Sequence, residues 1–140
     1  MIKTSLFILL FLLSGCVMPQ QFFTQQKNTE SLVTRIVDGD TFVIDTGEKV
    51  RLICVNTPEI DTPEGIEAKA FMQTILDGKT IRLEKDSSDT DRYGRLLRYA
   101  YLNNTDVGVI LIQEGYASVM RVAPNTRKCD MYDLLLDFRG

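Results

Sequence analysis

The stretch "SLVTRIVDGDTFVIDTGEKVRLICV", residues 31–55, constrains the fold more than any other part of the chain. Apolar and polar residues alternate in three runs, 32–37, 41–45 and 48–55, and the turn signals "DGD" and "TG" separate them. Period-two alternation suits strands with one buried face, so this stretch is a β-meander. After the loop "NTPEIDTP" the period changes. Thr62 is placed to cap a helix and Pro63 suits its first position. Ala68, Phe71, Met72 and Ile75 then fall on one helical face, and Gly78 is a suitable terminator.

Strand alternation returns in "KTIRLEK" and, past the polar loop "DSSDTDRYG", in "RLLRYAYL". "NN" turns the chain, "DVGVILIQEG" predicts a short helix ending at Gly115, "YASVMRV" is extended, and "CDMYDLLLDF" suits a last amphipathic helix. Five short strands with a helix after the third imply an α+β, mainly β fold. The expected architecture is a five-stranded OB-fold barrel with two to three helices.

The first residues follow a different logic. Lys3, the apolar run "SLFILLFLL" and the small residues before Cys16 have the layout of a secretory signal, too short for a spanning helix. "LSGC" resembles the bacterial lipoprotein cleavage box, which would make Cys16 the lipidated first residue; the plain alternative is an ordinary signal with an incidental cysteine. The expected division is a signal peptide over 1–15, a polar Gln-rich tether over 16–31 and one domain over 32–140. The protein is then exported and held by lipid on the extracytoplasmic side of the cell envelope.

The charge balance narrows the chemistry. Setting Lys3 aside leaves 15 basic against 19 acidic residues, a net charge of −4, so no global basic field attracts nucleic acid. The chain has no histidine, which removes His-based triads and most zinc hydrolase designs. A metal would be held mainly by oxygen, which favours calcium or magnesium. With Cys16 assigned to lipid, Cys54 and Cys129 remain as an even pair in an exported chain.

Three polar clusters interrupt the strands: "DGDT" at 38–41, "R…NTPE" within 51–59 and "DRYGR" at 91–95. Each alone is an ordinary turn signal. Together they bring carboxylate and amide oxygens (Asp40, Asn56, Glu59) and two permanent cations (Arg51, Arg95). Strand parity is taken to put Arg51 on the face of Asn56. Guanidinium forks suit phosphate oxygens, and two of them beside an oxygen-ligated cation make a clamp for a phosphodiester. An EF-hand counted from Asp89 fails, since Tyr93 and Ala100 fall where side-chain oxygens are required. Asp91 is expected instead to tie down its own loop and so position Arg95.

"DGDT", "VRLICVNTPE" and "DRYGR", in this order and at these intervals, resemble staphylococcal nuclease and its homologues from about Leu32 to about Asn125. The resemblance implies a calcium-dependent nuclease acting on DNA, RNA or both, leaving 3′-phosphate ends, and working as a monomer with single strands preferred. It implies calcium ligands at Asp40, Asn56 and the Thr57 carbonyl, and a general base at Glu59. Arg51 and Arg95 would hold the phosphate, with Tyr93 beside a terminal phosphate. Asn56 stands where the nuclease carries an aspartate, which removes one formal charge from the metal site. "VMRV" replaces a tyrosine-rich stretch ahead of "APNT".

The family fold also implies that the strand carrying Cys54 passes near the start of the last helix, at Cys129; a bridge and two separately packed thiols both remain open. The rival to an enzyme is a non-catalytic, membrane-tethered OB-type module that binds nucleic acid or another polyanion. Its weakness is Glu59, which a pure binder has no use for.

Overall fold

The computed structural model describes residues 29–139. The signal peptide, Cys16 and most of the expected tether lie outside these residues. The elements run β1 (Thr29–Asp38), β2 (Thr41–Ile44), β3 (Lys49–Leu52), β4 (Val55–Asn56), α1 (Pro63–Leu76), β5 (Thr80–Glu84), β6 (Leu96–Leu102), β7 (Thr105–Asp106), α2 (Val107–Gln113), β8 (Ser118–Val119) and α3 (Cys129–Asp137). Five of the strands, in the order β3-β2-β1-β5-β6, form a barrel. The parallel pairing of Val50 with Leu96, Arg51 with Leu97 and Leu52 with Arg98 closes it. This is a closed, mixed five-stranded barrel with three helices, consistent with the expected OB-fold.

The ten-residue β1 serves both halves of the barrel. Its first residues pair with β5 and the rest pair with β2, with register shifts near Val33 and Ile36. Such bulges add the bend that closure requires. The domain begins earlier than expected: Thr29, Glu30 and Ser31 belong to β1 and pair with Leu83, Arg82 and Ile81. Their polarity suited a tether, but backbone pairing at a strand end does not depend on apolar side chains.

Thr62 caps α1 through its hydroxyl, which accepts the Gly65 N–H at 3.1 Å, and Pro63 opens the helix. Ala68, Met72 and Leu76 are fully buried against the barrel, while Phe71 is only half-buried and stacks on Tyr116 with centroids 4.3 Å apart. Asn103 and Asn104 both adopt positive φ, as a tight hairpin turn needs.

The run 48–55 is not one strand. It breaks at Ile53 and Cys54, and Cys54 takes φ +61°. This corrects the parity argument. Strict alternation puts Arg51 and Asn56, an odd and an even position, on opposite faces of a strand. The turn at 53–54 removes that alternation and brings both to one side.

Cys54 and Cys129 form a disulfide with Cα atoms 5.2 Å apart, joining the turn to the first residue of α3. Closing a loop of 75 residues is worth about 4 kcal/mol against the unfolded chain. Lys128 and the Tyr132 hydroxyl bond to Asp106, which fixes α3 to the start of α2.

Candidate active site

The turn between β1 and β2 brings Asp40 inward, where it is 6 % exposed. Gly39 makes this approach possible, since a Cβ there would lie 2.7 Å from the Thr57 side chain and 2.8 Å from Ala68. Both carboxylate oxygens of Asp40 have partners. Oδ2 accepts the Thr57 N–H at 2.9 Å and its hydroxyl at 3.2 Å. Oδ1 accepts the Thr41 hydroxyl at 3.1 Å and lies 3.2 Å from Arg51 Nε. The Thr57 amide and hydroxyl therefore face Asp40.

Arg51 is 8 % exposed. Its Nη1 donates to the carbonyls of Leu52 and Val55, each at 2.6 Å, and Nη2 donates to Asn56 Oδ1 at 3.4 Å. Only the Nε and Nη2 side faces the oxygens of the site. Burial is the largest influence on both members of the pair. It raises the Asp40 carboxyl, against the opposing pull of Arg51 and the Thr57 amide, and lowers Arg51, to which the Arg95 cation adds. A guanidinium keeps its proton in proteins, so Arg51 remains a buried cation.

Arg95 is held differently. Asp91 accepts its Nε at 2.7 Å and its backbone N–H at 3.1 Å, and also accepts the Tyr93 N–H at 2.9 Å. Asp91 thus ties its loop as the acidic spacing suggests. Neither terminal nitrogen of Arg95 has a protein acceptor among the described residues. The two arginines therefore differ: Arg51 is locked, and Arg95 offers an open fork.

Asp40, Arg51, Asn56, Thr57, Glu59 and Arg95 line one pocket of about 200 Å³, joined by Asp38, Pro58 and Ile60. Glu59 is exposed, and its side chain has no protein donor among the described residues. Its carbonyl is fixed by the Thr62 N–H at 3.0 Å and the Thr62 hydroxyl at 2.7 Å. The cap of α1 thereby anchors the residue expected to be the base. Tyr93 is not in this pocket. It stands 68 % exposed beside a larger groove of about 530 Å³ that shares Arg51 and Arg95. Met120, Val122, Ala123 and Pro124 line that groove, so its far wall is aliphatic.

The donor chemistry fits a hard divalent ion: the side-chain donors lining the pocket are oxygens, with no sulfur or imidazole. Among the described residues no three Asp, Glu or Cys side chains gather into an ion-holding group by themselves. The Asn56 amide, the Thr57 carbonyl and water would have to complete the shell, as is usual for such ions.

A model of the family described as "Staphylococcal nuclease homologue" matches residues 49–136. The chain belongs to the staphylococcal nuclease family. It is 37% identical over 123 residues to a thermonuclease of Staphylococcus intermedius, covering 81% of this chain and 71% of that protein. A thermonuclease of Staphylococcus hyicus is 37% identical over 102 residues, 66% of this chain and 60% of its own. Endonuclease YncB of Bacillus subtilis is 36% identical over 121 residues, covering 79% of this chain and 57% of that protein. The chain thus spans only 57% to 71% of the length of these relatives.

For this nuclease homologue the sequence reading missed Asp38, which lines the pocket and whose Oδ1 accepts the Asp40 N–H at 3.1 Å. The signal was there in the first acid of "DGD". It also missed Thr41, whose hydroxyl has no distinguishing pattern at a strand start.

Proposed function

We propose that this chain is a metal-dependent nuclease that hydrolyses phosphodiester bonds of DNA, RNA or both. The observation that carries the reading is the single pocket in which a buried Asp40–Arg51 pair, the open fork of Arg95 and the free carboxylate of Glu59 meet. Thermonucleases and an endonuclease among its relatives support the same class of reaction.

Asp40, Asn56 and the Thr57 carbonyl are the residues that would hold calcium. The ion would supply positive charge against a phosphate oxygen. Arg95 binds a non-bridging oxygen pair through its two terminal nitrogens, and Arg51 adds a fixed cation whose energy is strengthened by burial. Glu59 accepts a proton from water as the water oxygen bonds to phosphorus. The P–O5′ bond breaks, the departing 5′-oxygen takes a proton from water to become a 5′-hydroxyl, and the other product carries a 3′-phosphate.

Depressions continue on both sides of the pocket. The groove beside Tyr93 shares Arg51 and Arg95 with it, and a shallow one bordered by Tyr116 and Ser118 shares Asn56 and Pro58. That continuity suits a chain passing through rather than a terminal nucleotide.

The test is cleavage of heat-denatured DNA and of RNA with calcium, and again after chelation. Product should accumulate only with calcium. Binding without product under any divalent ion would refute the enzyme in favour of a binding module. We also propose that Cys16 is lipidated and anchors a monomer to the cell envelope. Cys16→Ser should move the protein from the membrane to the soluble fraction.

A further inference from the structure

We propose that the Cys54–Cys129 disulfide positions the Arg51 guanidinium, so that the phosphate clamp is complete only in the oxidised chain. The inference rests on the nuclease reading for its activity readout. The carbonyls of Leu52 and Val55 converge on Arg51 Nη1 at 2.6 Å each, from either end of the turn at 53–54. They converge because Cys54 sits at φ +61°. That is a conformation that L residues other than asparagine and aspartate seldom adopt, and it persists where the surroundings enforce it.

The contacts that hold the turn include the Ile53 N–H on the Arg98 carbonyl at 3.1 Å, the Cys54 carbonyl on the Met120 N–H at 3.1 Å, and the bridge. The bridge is the covalent hold on the side chain of the left-handed residue, whose Sγ otherwise lies only at long range, 3.9 Å from the Tyr99 hydroxyl and 3.8 Å from the Asn125 carbonyl oxygen. Its other end is wholly buried at the start of α3. With Nη1 fixed in the carbonyl cradle, Nε and Nη2 stay directed at Asp40 and Asn56. Without the bridge, Cys54 can relax to a negative φ, the two carbonyls separate, and the guanidinium loses its fixed orientation. Arg95 has no such dependence, because Asp91 alone fixes it.

The experiment compares the oxidised full chain with the chain reduced by dithiothreitol, which leaves as its cyclic disulfide and yields two cysteine thiols. Cys54→Ala/Cys129→Ala serves as a second reduced form. Cleavage of a short oligonucleotide is measured at a temperature where circular dichroism shows each form fully folded. The expected result is a roughly tenfold loss of kcat/KM on opening the bridge, since small displacements of a positioning group are costly. The loss should vanish in an Arg51→Lys background, because lysine cannot span both carbonyls.

Exchange protection of the Arg51 Nε–H, followed by NMR, should fall on reduction whether or not the protein cleaves anything. An oxidised chain without activity therefore sinks the nuclease reading while leaving this measurement decisive. Unchanged Nε–H protection in the folded, reduced chain overturns the proposal, whatever kcat/KM does. If neither reduced form folds even at low temperature in sucrose, the bridge is a staple of the fold and the positioning role is likewise overturned.

Discussion

Replacing Gly65 with alanine should damage both stability and turnover, against the usual expectation. Alanine in place of glycine inside a helix normally gains about 1 kcal/mol. Here a Cβ would lie 1.8 Å from the Glu59 carbonyl oxygen and 2.5 Å from its carbon. Contacts of this kind do not fall below about 3.0 Å, so the carbonyl or the helix start must move by about 1.2 Å. The same carbonyl accepts the Thr62 N–H and hydroxyl, so the shift also disturbs the cap of α1. Overpacking costs about 1–3 kcal/mol and a lost cap about 1 kcal/mol. Set against the helix gain, the net loss is about 1–3 kcal/mol, or a fall in Tm of roughly 5–15 °C. Because Glu59 is displaced while Arg51 and Arg95 are not, kcat should fall about a hundredfold with little change in KM. Differential scanning calorimetry and steady-state cleavage at 20 °C measure both quantities. Gly47→Ala is the matched control: Gly47 has φ +87° and open space around it, so it should lose stability with kcat intact. A Gly65→Ala protein with unchanged Tm and kcat within twofold of the parent would refute the coupling between the α1 cap and the base.

Glu59→Gln should lower kcat by about 10²–10⁴ and leave Tm unchanged, because its exposed side chain supports no other group. Steady-state kinetics beside a melting curve check this, and a rate equal to the parent removes Glu59 as the base. Asp91→Ala should lower kcat/KM about tenfold through loss of the Arg95 orientation, and adding it to Arg95→Ala should cost nothing further in a double-mutant cycle. For pH, burial raises the Asp86 and Asp91 carboxyls, but hydrogen bonds outweigh it. Those from Tyr99 and the Arg127 amide take Asp86 below the ordinary 3.8, and those from Arg95 and the Tyr93 amide do the same for Asp91. Glu84, bonded by Arg127 and Arg82, likewise lies below its ordinary 4.5. The unfolded chain binds these protons first on acidification, so their contribution is full above about pH 4.5 and lost below it. The three lowered carboxyls should together pull Tm down below about pH 4.5, against the opposite contribution of the raised Asp40 carboxyl, and Asp86→Asn should make that fall shallower. An Asp86→Asn curve of unchanged steepness would contradict it.

The two left-handed turns show what a sequence can and cannot disclose about this site. Asn103 and Asn104 announce a positive-φ hairpin because asparagine tolerates that region through its own short side chain, a local property that sequence records. Cys54 adopts the same region, yet cysteine carries no such preference. Its conformation is tied to a partner 75 residues away and to the barrel around it. Period-two alternation therefore continues through Cys54 as if the strand were unbroken, and the count of cysteines says that a pair exists but not that it lies under the Arg51 cradle. The same division separates the rest of the site. "DGDT", "NTPE" and "DRYGR" are legible as polar turns because each is local, whereas their meeting depends on β3 closing against β6. The consequence is asymmetric. The residues proposed to bind the phosphate and take the proton, Arg51, Arg95 and Glu59, stand out by charge, while Cys54 beside Arg51, and Gly65 and Thr62 beside the Glu59 carbonyl, look like ordinary turn and cap residues. A survey of variants restricted to charged positions would find Arg51, Arg95, Glu59 and the Asp91 that fixes Arg95, and would miss Cys54, Gly65 and Thr62.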